Sequence, residues 1–154
     1  MSEQASLPVL PVAVRPIRES DLEFITDSWL RCDRDSHLDT PHQEYFETQR
    51  TVIKRLLGVS KCAVVCDEDD ADQIYGYAVW EQHAKGPILH FAYVKDAFRR
   101  LGVFRRLWMV FNPNDKVVTL THRSKHYQAL KEKGLPIRQR PYALIVSLMK
   151  KEAP

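Results

Sequence analysis

Few cysteines, no long apolar run and no strong excess of one charge narrow this 154-residue chain before any motif is sought. Its hydrophobic stretches fall well short of the ~20 residues that a membrane-spanning helix needs. Three thiols, Cys32, Cys62 and Cys66, are an odd number, and their spacing builds no disulfide framework. That usage fits a reducing compartment, the cytoplasm. Cys62 and Cys66 flank the extended apolar run Ala63-Val64-Val65. On a strand they share a face but lie ~13 Å apart, too far to hold one metal ion, so both are expected in the core. A net charge of +3 permits nucleic acid without requiring it. Residues 1–11 show neither a basic segment nor an apolar one of the signal-peptide kind, and Pro8 and Pro11 read as a loose leader. No repeat or low-complexity tract interrupts the rest. A hydrophobic content of 44% with 28% charged residues describes an ordinary globular protein, and residues 12–150 are expected to form one domain.

What is present is a regular alternation of strand and helix signals. Val12 to Ile17 is β-branched and reads as a strand. Ser20-Asp21-Leu22-Glu23 has the spacing of a capping box, with Leu22, Ile25 and Trp29 at helical intervals behind it. Thr40-Pro41 opens a second helix whose apolar face carries Tyr45, Gln49, Val52 and Leu56, with Gly58 at its end. Lys61–Cys66 and Gln73–Trp80 read as an antiparallel hairpin across an acidic, solvated tip, Asp67 to Asp72. That tip lacks the spacing of a calcium loop. Gly86-Pro87 precedes a strand over Ile88–Val94. A helix carrying Val103, Leu107 and Val110 comes next, then a turn at Asn112-Pro113-Asn114-Asp115 and a strand at Val117–Thr121. Ser124 can cap a last helix that ends at Gly134, and Tyr142–Leu148 reads as the final strand. The order is β-α-α-β-β-β-α-β-α-β, a mixed α/β or α+β sheet flanked by helices.

The segment between the fourth strand and its helix carries the chemistry. Val94-Lys95-Asp96-Ala97-Phe98-Arg99-Arg100-Leu101-Gly102-Val103 runs from a strand through a basic glycine turn into a helix start. The first amides of a helix lack intrahelical partners and the helix dipole adds positive charge there, so the arrangement favours an anion. Gly102 admits close approach or positive φ, and arginine grips phosphate with two hydrogen bonds.

This order of elements, with these motifs inside it, resembles the GCN5-related N-acetyltransferase (GNAT) superfamily over roughly Val12–Leu148. Val14-Arg15-Pro16-Ile17-Arg18-Glu19-Ser20-Asp21-Leu22 is similar to its first strand and helix, where an arginine and a later aspartate recur. Ile74-Tyr75-Gly76-Tyr77-Ala78-Val79 looks like its glycine-bearing third strand. Arg99-Arg100-Leu101-Gly102-Val103-Phe104 is similar to its acyl-CoA loop, and Leu130-Lys131-Glu132-Lys133-Gly134-Leu135 to the end of its late helix.

The resemblance implies a mostly antiparallel, twisted sheet whose fourth and fifth strands splay into a cleft for acetyl-CoA, used as co-substrate without a metal. It implies pantetheine along Phe91, Tyr93 and Val94. The pyrophosphate would sit on the amides of Arg100, Leu101, Gly102, Val103, Phe104 and Arg105, with Arg99 beside it. The chemistry would be direct attack of an amine, from a small molecule or a peptide, on the thioester.

Two positions depart from the pattern. Phe104 replaces the small residue that closes the loop motif, and Leu130 stands where the superfamily usually places the tyrosine that protonates the departing thiolate. Tyr127, three residues earlier on the same helix face, is the substitute candidate; its ordinary alternative is packing. Three residues are candidates for the general base. His90 lies on the fourth strand, with a hydrogen-bonded strand histidine as the alternative reading. Glu81 ends the third strand, where it would otherwise be an exposed strand end. His122 follows the fifth strand and faces the same cleft.

For Arg99, Arg100, Arg105 and Arg106, acyl-CoA ranks first, a solvated face second and nucleic acid third, since neither aromatic platforms nor a helix-turn-helix accompany them. Two functions therefore stand: an N-acetyltransferase, or a non-catalytic relative that binds CoA or another protein. A homodimer is left open.

Overall fold

A computed structural model describes residues 10–122 and 126–150. Its first strand, β1 (Val12–Pro16), leads through a short 3₁₀ turn into α1 (Leu22–Asp33). Arg15 fixes that corner, its two terminal nitrogens donating to both carboxylate oxygens of Asp21 at 2.6 and 2.9 Å. Asp21 also accepts the Arg18 backbone N–H at 2.7 Å. The capping box expected from Ser20 and Glu23 is therefore replaced by one in which Asp21 reaches back to Arg18.

A second helix, α2 (His42–Val59), crosses back and buries Tyr45, Ile53 and Leu56. The hairpin follows as β2 (Lys61–Asp67) and β3 (Ile74–Glu81), then β4 (Ile88–Val94). After a basic turn come α3 (Val103–Phe111), β5 (Val118–Leu120), α4 (Tyr127–Glu132), β6 (Ile137–Gln139) and α5 (Tyr142–Leu148).

The strands lie side by side in chain order. β1 to β4 pair antiparallel, and β4–β5 and β5–β6 pair parallel. β4 is thus interior to the sheet. The sheet is mixed and open.

Each face of the sheet carries its own apolar layer. Ile25, Trp29 and Leu30 of α1 and Ile53 and Leu56 of α2 pack on Val64, Tyr77, Val79 and Phe91, with Leu144 and Leu148 of α5 at the margin. On the opposite face Val103, Leu107 and Phe111 of α3 pack on Val65, Ala78, Trp80, Leu89 and Leu120, and Tyr127 and Leu130 of α4 close that layer. Burial removes the apolar area from water at ~25 cal/mol per Å², which is what holds both layers to the sheet. Cys66 is buried and Cys62 half-buried in the first layer, and burial pushes the Cys62 thiol up to about 12.

One element departs from expectation. Tyr142–Leu148 is a helix, and the last strand is the three-residue Ile137–Gln139 instead. Pro141 has φ −61° and ψ −31°, already in the helical region, and proline is well suited to a helix start. Behind it Leu144, Ser147 and Leu148 turn inward, while Tyr142, Ile145, Val146 and Met149 stay exposed. That is a 3.6-residue period, which a short apolar run conceals from a strand-or-helix choice made on hydrophobicity alone. The expected strand at Val117–Thr121 shortens to Val118–Leu120, and the Ser124 cap lies outside the described residues.

Two irregularities of β4 prepare the site. Opposite β3 the register runs Val79↔Phe91 and then Trp80↔Leu89, so His90 is the extra residue of a β-bulge. Bulges bend a strand and re-aim its side chains. On its other edge β4 pairs with β5 at only two positions, Ile88↔Thr119 and Leu89↔Leu120, and the Thr121 N–H donates to the Leu89 carbonyl at 3.2 Å. Beyond that bond β4 continues through Phe91 to Val94 with no β5 partner.

Candidate active site

The turn that joins β4 to α3 is exposed and tightly bent. A 3₁₀ turn over Asp96–Phe98 is held by the Phe98 ring, 4.2 Å from that of Tyr75, and by the Lys95 N–H on the Tyr75 carbonyl at 2.9 Å. Arg100 takes φ +66° and Gly102 takes φ +84°. A left-handed arginine is strained, and such residues persist only where their surroundings impose them. Gly102 is the N-cap of α3 and brings no side chain to it. The first helical bond is Arg106 N–H to the Gly102 carbonyl at 3.0 Å, so the amides of Val103, Phe104 and Arg105 precede the helical ladder. A Cβ built on Gly102 would meet nothing within 4 Å, so the turn is open on that side of the glycine.

Arg99, Arg100, Arg105 and Arg106 are all exposed around this opening. Arg99 is partly engaged, pairing with Asp96 at 2.8 Å. Phe104 is half-buried, with its ring 6.1 Å from that of Trp108 one turn along α3. Of the three strand positions expected along a ligand, Phe91 is buried, whereas Tyr93 and Val94 are half-buried.

A second group of polar residues sits inside the fold, where the strands part. Glu81 is only 5% exposed, so it is no exposed strand end. Its Oε2 accepts hydrogen bonds from His90 Nε2 at 2.7 Å and from Ser147 Oγ, and its Oε1 accepts Lys150 Nζ at 2.7 Å. Burial works to raise the Glu81 pKa, but Lys150, Ser147 and His90 together overcome it and hold the carboxyl at about 2. His90 is fully buried, and burial pushes its imidazole below the usual range against the pull of Glu81. A carboxylate has no proton to give, so Nε2 is the protonated nitrogen. In the neutral ring Nδ1 then accepts from the Thr121 hydroxyl at 3.0 Å.

His122, the next residue along, is differently placed. Its Nδ1 is buried and has no hydrogen-bond partner among the described residues. Its ring lies 5.7 Å from that of Phe91. Burial pushes its pKa below the usual value, with Asp33 acting weakly the other way, so the ring is neutral near pH 7 and its unprotonated nitrogen is a base.

His90, Thr121 and His122 all line one cavity of about 260 Å³ beside the parted strands, closed on the far side by Trp29, Asp33, Gln49 and Leu56. A larger cavity of about 540 Å³ lies at the other end of the parallel pair, between Ile88 and α5, with His83, Arg140, Tyr142 and Lys150 in its lining. The smaller cavity holds the unpartnered His122 nitrogen and lies where β4 and β5 part, so it is the better reaction site.

Tyr127 stands apart from these residues. It packs in the α3 layer on the opposite face of the sheet, half-buried, and its hydroxyl receives Lys131 Nζ at 3.4 Å. Sequence reasoning found Glu81, His90 and His122 but missed Thr121, Ser147, Lys150 and Asp33. Ser147 and Lys150 are i and i+3, a helical signal hidden by reading that segment as a strand. Thr121 and Asp33 carry no local signature; they matter through residues far away in the chain.

No family model and no curated protein matches this chain. Solved structures do. A possible acetyltransferase from Clostridium difficile 630 aligns with a TM-score of 0.54 at 15% identity, over 80% of this chain and 88% of that one. An acetyltransferase from Corynebacterium glutamicum ATCC 13032, described as histone acetyltransferase HPA2 and related, gives 0.53 at 18%, over 80% and 83%. An acetyltransferase of the GNAT family from Staphylococcus aureus Mu50 gives 0.53 at 11%, over 80% and 81%. The chain is similar to these in fold.

Proposed function

Proceeding from a GNAT fold, we propose that this protein is an N-acyltransferase that moves the acetyl group of acetyl-CoA to an amine. The observation that carries the reading is the parting of β4 and β5 beyond Leu89 and Thr121, with an open, arginine-rimmed helix start past the end of β4 and a proton-accepting cavity beside the gap. The residues present fit the co-substrate. Amides of Val103, Phe104 and Arg105 with side chains of Arg100 and Arg105 suit a pyrophosphate, and the empty space before Gly102 admits one. The unpaired edge of β4 from Phe91 to Val94 suits an amide-bearing chain laid alongside it.

Acetyl-CoA supplies an activated thioester, so the protein has to position an amine and manage protons. In this reading the neutral His122 ring takes the amine's proton at its buried, unpartnered Nδ1. Thr121, His90 and Glu81 form a fixed chain behind it and position the end of β5. Tyr127 is the donor to the departing thiolate, reached from the α3 side of the gap. The described residues include no helix long and apolar enough to cross a membrane, and we place the protein in the cytoplasm, in keeping with its odd number of cysteines.

A second reading rests on Leu130, which is half-buried in the α3 layer where the superfamily usually has its tyrosine. It makes the protein a CoA-binding or interaction module without turnover. Calorimetric titration with acetyl-CoA tests both. Saturable binding with a raised Tm is expected, because a ligand selective for the folded state stabilises it by mass action. No heat and no Tm shift at millimolar ligand removes both the transferase and the CoA-binding module. Binding without thiol release across an amine panel leaves the module.

A further inference from the structure

The cavity beside β4 and β5 holds an unbalanced charge. Asp33, at the end of α1, is 9% exposed and lines it. The side-chain amide of Gln49 donates to Asp33 Oδ2 at 3.1 Å, and among the described residues no lysine, arginine or histidine pairs with this carboxylate. A buried aspartate ordinarily has a cationic partner, because a neutral amide offsets only part of the cost of taking the charge out of water. Among the described residues no lysine or arginine lines the cavity; its basic side chains are the imidazoles of His37, His90 and His122. Burial lowers the pKa of the last two, so no permanently charged cation in that lining balances Asp33 or would receive an acid. Its apolar walls are Trp29, whose ring stacks on Phe91 at 4.9 Å, Val52, Leu56 and Leu144, and Ser36, His37, His90 and Thr121 also line it. The same cavity is lined by His122, whose buried Nδ1 has no hydrogen-bond partner among the described residues.

We propose that Asp33 receives the ammonium group of the acceptor, and that the acceptor is a compact alkyl or aryl-alkyl amine bearing no carboxylate or phosphate. The assignment rests on the transferase reading and names its second substrate. The apolar walls sheath the hydrocarbon part. A volume of about 260 Å³ falls below the ~300 Å³ at which sites for larger ligands begin, which fits a small free amine rather than a peptide segment. An acidic group on the acceptor would be desolvated against Asp33 without a counter-charge. During transfer the bound ammonium gives up two protons. One goes to His122 and on to solvent; as the C–N bond forms and the C–S bond breaks, Tyr127 protonates the departing thiolate and the other proton restores Tyr127.

The test is binding of matched probes to the full-length protein by calorimetry. The probes are phenethylamine, its neutral counterpart 2-phenylethanol, and its carboxylated counterpart phenylalanine. Phenethylamine is expected to bind at least tenfold more tightly than either. In Asp33→Asn, which keeps the shape and the Gln49 contact, that preference is expected to vanish while CoA affinity stays unchanged and Tm does not fall; Asp33→Glu should retain part of it. Equal binding of the amine and the alcohol by the unaltered protein overturns the assignment, and that comparison needs no variant. So does an Asp33→Asn protein that binds the amine normally, or faster acetylation of a lysine peptide than of any free amine. Asp33-dependent amine binding by a protein that takes no CoA supports the cation site while removing the transferase reading. CoA binding with acceptor turnover indifferent to Asp33 does the reverse.

Discussion

The arginine turn and the Glu81 cluster are both polar, both lie near β4, and are built in opposite ways. The turn is contiguous, exposed and strained, with a left-handed Arg100 two residues before a left-handed Gly102. The cluster is sealed and assembled from afar: His90 lies nine residues from Glu81, Thr121 31 from His90, and Ser147 and Lys150 66 and 69 from Glu81. An exposed charge is hydrated whether or not the chain is folded, so it contributes little to stability and is free to serve a ligand. A buried charge is tolerated only with its partners in place, so it holds together the elements that bring them. Here those elements are β3, β4, β5 and α5. The two regions should therefore respond to mutation in opposite observables.

The largest effect expected is on stability. Glu81→Ala leaves Lys150, Ser147 and His90 without their shared acceptor and cuts α5 from the sheet. Breaking a buried ion pair costs ~3–5 kcal/mol, and the partial exposure of Lys150 puts this case near ~3 kcal/mol. Urea unfolding measures it, and Glu81→Gln should lose less because it keeps a hydrogen-bond acceptor. A loss below ~1 kcal/mol for the alanine variant would make the cluster ornamental and the contrast with the turn false.

Next comes binding at the turn. Arg100→Ala should weaken CoA binding by about 2 kcal/mol, the scale of one charge-assisted hydrogen bond, and leave the urea midpoint nearly unmoved. Arg105→Ala should behave alike. If either variant loses stability instead of affinity, the turn belongs with the cluster. If CoA affinity is unchanged and nucleic-acid binding falls, the arginines face a different polyanion.

How much of this was legible beforehand follows the same division. The turn announced itself because its parts are neighbours: a strand end, paired arginines, Gly102 and a helix start. The sheet followed from alternating apolar strands and from helix starts such as Pro41. The Arg15–Asp21 pair was visible as a recurring arginine and aspartate, though not its two-point geometry. The cluster was legible only one residue at a time. Glu81 and His90 were singled out separately, but their contact depends on the bulge at His90, which adds one residue to β4 and has no sequence marker. Ser147 and Lys150 stayed hidden because Tyr142–Leu148 is apolar throughout; the helical period shows only when Leu144, Ser147 and Leu148 are known to face inward. Asp33 is unremarkable in the sequence, and its importance arises from a cavity in which no described lysine or arginine pairs with it.

Acid should act on the interior and spare the turn. His90 and His122 have folded pKa values pushed below the usual 6.5 by burial, so below pH 6.5 the unfolded chain binds more protons and stability falls as pH falls. Glu81, held at about 2 against 4.5 when unfolded, adds a second loss between those values, with the same sign. Each group contributes at most ~1.4 kcal/mol per pH unit where it is protonated only in the unfolded state. Urea midpoints measured from pH 8 to 4 should decline from about 6.5 downward, and His122→Asn should flatten the upper part. A midpoint independent of pH between 8 and 5 would show that neither histidine is held neutral by the fold.

The smallest effect separates backbone strain from ligand contact within a matched pair. Gly102 and Gly134 both have φ +84°, and a Cβ on either meets nothing within 4 Å. Alanine at each position should therefore cost the same, ~1 kcal/mol, from the left-handed backbone alone and without a clash. Gly134 ends α4 far from any phosphate in the proposed reading, whereas Gly102 opens α3 where the pyrophosphate would rest. Gly134→Ala should leave CoA affinity untouched. Gly102→Ala should lower it as well, because the new methyl group enters the space that the phosphate needs. Equal stability losses with unequal affinity losses would assign that space to the ligand. If the two variants match in both measurements, Gly102 is only a helix cap, and the open space before it is solvent.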